Sequence, residues 1–212
     1  MNDLVIKNLN KNIKGVNILN DINLSLDAGN IYGFVGVNGS GKTMLFRAIS
    51  GLINVDSGSI EIFGEKIGKD VSFPSSIGIV IDSNGFWEDL TGFENLKKLS
   101  YIKKISTEQD IINSLEKVGL SYKDNRIYKK YSLGMKQRLS IAQAIFENPR
   151  LLIFDEPTNA LDEDGIQLFY KILQDFKKNG AIILIASHNK SDIEIFSDRI
   201  FRLNDGKISE VK

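Results

Sequence analysis

The stretch from Ile31 to Leu52 reads IYGFVGVNGSGKTMLFRAISGL. It divides into an apolar run of strand length (IYGFV), a glycine-rich turn (GVNGSGKT) and a helical run (MLFRAISGL). The turn has the spacing G-x-x-x-x-G-K-[ST], with Gly36, Gly41, Lys42 and Thr43 in the fixed places. Glycine lets backbone N–H groups approach an anion with no Cβ in the way. Across Val37, Asn38, Gly39 and Ser40 those amides can form an anion nest, and the following helix adds its positive end. Lys42 is expected to reach the β- and γ-phosphates of a nucleoside triphosphate, and the Thr43 hydroxyl to ligate Mg²⁺. A glycine-rich turn can match the spacing by chance, but strand, loop and helix in the required order argue against that.

A second stretch lies far downstream. Tyr131 to Asp162 reads YSLGMKQRLSIAQAIFENPRLLIFDEPTNALD. Its polar start suits a helix cap, and helix-forming residues run on to Pro149. LLIFDE then sets Asp155 at the end of a buried strand, where α/β folds place their ligands. An Asp there suits the shell of a Mg²⁺ ion. Glu156, one residue on, points differently and suits a general base that polarises an attacking water. Adjacent acids can also be a solvated strand end; the phosphate loop and Pro157 favour the chemical reading.

Composition narrows the class. The chain has 212 residues, 27 Lys plus Arg against 27 Asp plus Glu, and no Cys. Balanced charge gives no global field for nucleic acid or anionic lipid, so no direct nucleic-acid binding is expected. Without Cys there is no disulfide, thiolate metal site or Cys nucleophile. The N-terminal MNDLVIKNLNKNIKG lacks the apolar core of a signal peptide. Apolar runs such as AIILIA are far shorter than the roughly 20 residues that cross a bilayer, so any membrane span is expected on another chain.

The pattern along the chain falls into three parts. Residues 1–82 are strand-rich, with LVI, INLSL, IYGFV, IEIF and IGIVI separated by turn residues. Residues 83–149 are helical. There, Ser106 and Gln109 fit a capping box, and Ile111, Ile112, Leu115 and Val118 make one apolar face. After Pro149 the buried strands LLIF and AIILIA alternate with helices. Continuous apolar strands with helices between them predict an α/β fold with a mostly parallel sheet covered on both faces.

Together these residues resemble the ABC ATPases, the nucleotide-binding subunits of ATP-binding cassette transporters. The resemblance covers nearly the whole chain. It rests on GVNGSGKT as Walker A, YSLGMKQRL as the signature, LLIFDEP as Walker B, TNALD as the D-loop and His188 in IASHN as the switch histidine. It implies a single P-loop NTPase domain of the ABC ATPase type over residues 1–212. The α/β core would be 1–82 and 150–212, with an N-terminal antiparallel β subdomain. Residues 83–149 would form the inserted helical subdomain that carries the signature. ATP and Mg²⁺ are the implied cofactors. The implied partners are a second cassette, as homodimer or cassette heterodimer, and a separate transmembrane permease subunit. The implied location is cytoplasmic, peripheral at the inner face of the cell membrane.

The resemblance also implies residue roles. Two cassettes sandwich two ATP molecules, so Ser132 and Gly134 of one would meet the γ-phosphate held by the other, with the helix end adding roughly half a positive charge. Asp162 would make an intersubunit contact, and His188, the only histidine, would bond the γ-phosphate. The chain departs from the family pattern in places. Its signature reads SLGMK rather than SGGQ, with Leu133 for a glycine and Lys136 after the motif. Met44 stands where Ser or Thr often sits beside the α-phosphate. Asp82 takes the place of the Q-loop glutamine, with reach to Mg²⁺ or the attacking water. Ile13 falls where an aromatic usually stacks on adenine, and it offers no π-face.

Other features carry less. Phe86, Trp87 and Phe93 follow Asp82; in the family this region lines a groove for a short helix of the membrane subunit, and an exposed Trp87 would favour that over core packing. Asn189 to Asp192 spells N-K-x-D and Asp162 to Gly165 spells D-x-x-G, as in GTPases, but a GTPase places D-x-x-G shortly after its phosphate loop. The YSLGMKQRL spelling, the IGIVID…NGFWEDLTGFENL stretch and the short run after the core resemble exporters of bacitracin- and lantibiotic-type peptides. The alternative is a soluble ABC ATPase acting on nucleic acid or ribosomes. Such relatives usually carry two cassettes or coiled-coil arms, and this chain shows neither.

Overall fold

The computed structural model describes residues 3–82, 85–188 and 190–212, with the Lys190 backbone only. A six-stranded sheet runs in the order β10-β9-β3-β8-β7-β6. Its strands are β3 (Asn30–Val35), β6 (Ile77–Val80), β7 (Leu151–Asp155), β8 (Ile182–Ala186), β9 (Arg199–Asn204) and β10 (Lys207–Glu210). Every pairing from β9 to β6 is parallel; only β10 is antiparallel, joined to β9 by a tight turn. A second sheet is antiparallel throughout, in the order β2-β1-β4-β5, from β1 (Leu4–Ile13), β2 (Val16–Leu26), β4 (Ser57–Ile62) and β5 (Glu65–Lys66).

Strand β8, and β7 up to Asp155, are apolar and buried at every position because both faces are covered. Alternation along each strand divides its side chains between two cores. Leu152, Phe154, Ile183 and Ile185 face one, packed by residues of α3 (Glu108–Lys117), α4 (Leu133–Ile145), α5 (Glu163–Lys178) and α6 (Lys190–Phe196). Leu151, Ile153, Ile182 and Leu184 face the other, filled by the antiparallel sheet and α1 (Lys42–Ile49). Period-2 geometry thus sends neighbours to opposite layers even in a wholly buried strand.

Between β6 and β7 the chain leaves the sheet for α2 (Gly92–Lys103), α3 and α4. Thr91 caps α2 and closes a capping box with Glu94. At α3 the box falls one residue later than expected. Thr107 is the cap and Asp110 its reciprocal partner, not Ser106 and Gln109. The Thr107 hydroxyl accepts from Asp110 N while the Asp110 carboxylate takes Thr107 N, at 3.2 and 2.7 Å. A shorter acid closes the ring as well as Glu or Gln does. Ile111, Leu115 and Val118 are buried as expected, with Ile112 at the margin. Helix α4 stops at Ile145, short of Pro149, and Asn148 turns the chain in the left-handed region. It lies hard against β6: a Cβ on Gly78 would come within 1.8 Å of the Ala144 carbonyl oxygen.

Candidate functional site

The turn between β3 and α1 wraps an empty space with backbone. Gly41 holds the N-cap of α1 at φ 105°, a value that only glycine adopts without strain. A Cβ on Gly36 would strike the Leu203 carbonyl oxygen at 2.5 Å. Lys42 is buried and folds back over the turn, donating from Nζ to the carbonyls of Gly36 (2.7 Å) and Val37 (3.2 Å). Among the described residues this buried ammonium bonds only carbonyls and feels the Asp155 charge through space, which leaves it able to turn to an incoming anion. Ser40 Oγ is buried beneath the turn with no hydrogen-bond partner among the described residues.

Strand β7 delivers Asp155 to the same place. Thr43 Oγ1 donates to Asp155 Oδ2 at 2.5 Å. Burial pushes the Asp155 carboxyl above the ordinary carboxylate range, against the Thr43 hydrogen bond, and the Glu156 charge adds to the push. A hydroxyl and a desolvated carboxylate in contact are hard oxygen donors suited to Mg²⁺, which takes its remaining ligands from water and substrate phosphates. No cluster of three or more His, Cys, Asp or Glu gathers among the described residues.

Glu156 sits in the left-handed region, φ 52°, with its N–H bonded to the Ala186 carbonyl at 2.8 Å. Non-glycine residues rarely adopt this conformation. It turns the carboxylate toward the end of β8. There Oε1 accepts from His188 N at 2.9 Å, and Oε2 lies 2.7 Å from His188 Nδ1 and 3.3 Å from Ser187 Oγ. The two residues expected to act on the γ-phosphate and its water are therefore in direct contact.

These groups meet at a cavity of about 910 Å³. Asn38, Gly39, Gly41, Lys42, Thr43 and Met44 form one part of its wall, and Asp155 and Glu156 another. Ile13, Val16 and Ile18 supply an apolar part from the β1–β2 hairpin, with Lys14 beside them. Gly36 and Val37 line a neighbouring cavity of about 500 Å³ with Asn38, Ser187 and His188. Asp82 lines the nucleotide-sized cavity, but its carboxylate is engaged by Arg47 rather than free for a metal. Arg47 follows Thr43 by four residues on α1, which puts both on one helix face.

Three further expected residues, on or beside α4 and α5, line neither cavity. Ser132 caps α4, its hydroxyl accepting from Met135 N at 3.2 Å. Gly134 packs beside the Ala160 carbonyl. Asp162 caps α5, accepting from Gly165 N (3.0 Å) and Arg138 Nη2 (2.6 Å), bonds that hold its carboxyl below the usual range. Two residues that spacing did not single out do reach the cavity, Gln137 and Asn159. Gln137 lies inside YSLGMKQRL, one helical turn past Leu133, and donates to the Pro157 carbonyl at 2.8 Å. Of the GTPase-like string, Asn189 lies outside the described residues and Asp192 accepts from Thr158 at 2.8 Å.

Fold and site define a nucleotide-binding α/β protein of the phosphate-loop type. The family model described as ABC transporter matches residues 19–159. An uncharacterized ABC transporter ATP-binding protein of Bacillus subtilis, YybJ, is 49% identical over 203 residues, spanning 96% of this chain and 93% of its own. A lantibiotic transport ATP-binding protein of Streptococcus pyogenes, SrtF, is 39% identical over 97% of this chain and 88% of its own. A solved dimeric bacterial ABC transporter cassette superposes with a TM-score of 0.85 at 25% identity, over 99% of this chain and 98% of that one. The chain belongs to the ABC transporter family and is an ATP-binding subunit of the ABC ATPase type.

Proposed function

We propose that the chain binds ATP with Mg²⁺, closes head to tail on a second cassette, hydrolyses the nucleotide and so drives a separate permease subunit. The observation that carries this reading is the placement of Glu156. Its carboxylate shares one cavity with Lys42, Thr43 and Asp155, and His188 holds it from two sides. Lys42 would leave the Gly36 and Val37 carbonyls for the β- and γ-phosphates, while the amides from Asn38 to Met44 cradle them. The base would pack on Ile13 with Val16. Thr43 and Asp155 are the residues to hold Mg²⁺, with Asp82 near them; when bound, the ion would offset charge on the phosphate oxygens. Glu156 would orient water and accept its proton, with His188 fixing the carboxylate.

The opposing subunit completes the site in this reading. Ser132 and Gly134 open the N-terminus of α4 yet line no part of their own chain's cavity, so their free amides are available to a partner's γ-phosphate. The dimeric state of the solved cassette supports the same arrangement. The helical subdomain, taken as 83–149, would dock the permease. Trp87 supports this, being 46% exposed with Lys98 Nζ 5.1 Å from its ring centroid, while Phe86 is buried and Phe93 packs against the core. Among the described residues no helix is long and apolar enough to cross a membrane; attachment through a permease would be peripheral, at the cytoplasmic face. The likeness to a lantibiotic transport protein favours a peptide antibiotic as cargo.

Glu156→Gln tests the reading. Turnover should be lost and an ATP-bound dimer should accumulate, seen by sedimentation with retained nucleotide. A fully active Glu156→Gln protein overturns the base assignment.

A further inference from the structure

We infer that a second copy of this chain seats the acidic start of its α5, Glu163 and Asp164, against Arg202 of the first. The inference rests on the head-to-tail pairing proposed above. Arg202 stands on β9 opposite Val35, the last residue of β3 before the phosphate loop. It lines the 500 Å³ cavity beside Val37, His188 and Asn204. The chain has six arginines. Arg47, Arg126, Arg138 and Arg199 pair with Asp82, Asp124, Asp162 and Glu210. Arg150 lies 3.8 Å over the Phe63 ring. Arg202 alone has an exposed guanidinium with no side-chain partner among the described residues. Glu194 lines the next cavity along with it, but its carboxylate does not come within ion-pair distance.

The acids are open in the same sense. Glu163 and Asp164 are exposed in the first turn of α5 and have no side-chain partner among the described residues, whereas Asp162 is committed to Gly165 and Arg138. Their place beside the helix dipole is mildly favourable and leaves their outward charge unused. The start of α5 is also fastened to the start of α4. Arg138 of α4 bonds Asp162, Gln137 bonds the Pro157 carbonyl, and Gly134 packs beside Ala160. The two helix starts therefore dock as one body. If Ser132 and Gly134 cover the large cavity on one side of a partner's phosphate loop, the neighbouring segment at 160–164 falls toward the loop's other flank. On that flank Val37 is 72% exposed and Arg202 is the unpaired cation. Charges of opposite sign brought together there, with water partly excluded, attract more strongly than they do free in solvent.

Charge reversal tests the contact in the Glu156→Gln chain with ATP, by sedimentation equilibrium. Arg202→Glu should weaken the dimer about tenfold or more. Glu163→Arg with Asp164→Arg should weaken it too. The triple reversal in one chain should recover it, because every interface then pairs opposite charges again. Should Arg202→Glu fail to fold, Arg202→Gln and the acid reversal carry the comparison. An unchanged dimer in the single or double reversals, or a triple variant no better than Arg202→Glu, overturns the contact while leaving the pairing intact. No ATP-dependent dimer in the Glu156→Gln parent overturns the pairing itself and this contact with it.

Discussion

Asp155 closes a buried strand and, among the described residues, accepts a side-chain hydrogen bond only from Thr43. Burial raises its folded-state pKa. Between the unfolded and folded values the native chain binds more protons than the unfolded one, so stability falls as pH rises through that window and stays lower above it. Asp155→Asn keeps an acceptor for Thr43 and removes the charge. It should raise the melting temperature of nucleotide-free protein at neutral pH by about 2–4 °C, the shift worth 1 kcal/mol at this size. The gain should shrink below the folded pKa, and stabilisation by Mg²⁺ and ATP should be lost. A lower melting point at pH 7 would count against an electrostatically strained Asp155. Asp82 poses the opposite question, because to join the metal it must leave Arg47. The exposed pair is worth about 0.2–1 kcal/mol, so Asp82→Asn should barely change stability. It should raise the Mg²⁺ concentration that half-saturates ATP binding; an unchanged value removes Asp82 from the metal's shell. Gly36 to Thr43 and Asp155 were legible because their chemistry depends on neighbours in sequence. Arg47 and Gln137 were not, since what they touch comes from other elements.

At the level of elements, the clearest discrepancy is the start of α3. Ser106 and Thr107 are adjacent hydroxyls, and both precede helix-forming residues; only geometry selects the one whose oxygen reaches the third amide of the helix. Thr107→Ala should cost about 1 kcal/mol in urea unfolding, the usual size of a lost cap. Ser106→Ala should be close to neutral, because its buried hydroxyl has no partner among the described residues to lose. Equal losses would return the cap to Ser106. The buried strands were legible from their unbroken apolar runs. Their division between two cores was not named in advance, although alternation fixes it once both faces are covered. Gly78 carried no signal at all. Its need for glycine comes from α4, more than sixty residues downstream in sequence, pressed against β6. Nothing local announces such an approach.

Across the whole molecule, the decisive feature is that the two halves of the proposed site sit on separate surfaces of one chain. Lys42, Thr43, Asp155 and Glu156 share a cavity, while Ser132 and Gly134, at the start of α4, do not line it. Both halves were legible as motifs, but that they fail to meet within one chain is a fact of the fold. In the dimer reading each nucleotide draws its loop from one chain and its signature from the other, so damage to the halves is separable. Lys42→Ala removes the phosphate ligand, and Ser132→Arg blocks the signature without touching its own chain's cavity. Each variant alone should form only damaged sites and lose ATPase activity. Mixed together, they form heterodimers in which the intact loop of the Ser132→Arg chain faces the intact signature of the Lys42→Ala chain. Partial activity should therefore return on mixing. An active Ser132→Arg protein, or a mixture as inactive as its parts, would show that the signature does not act across the interface.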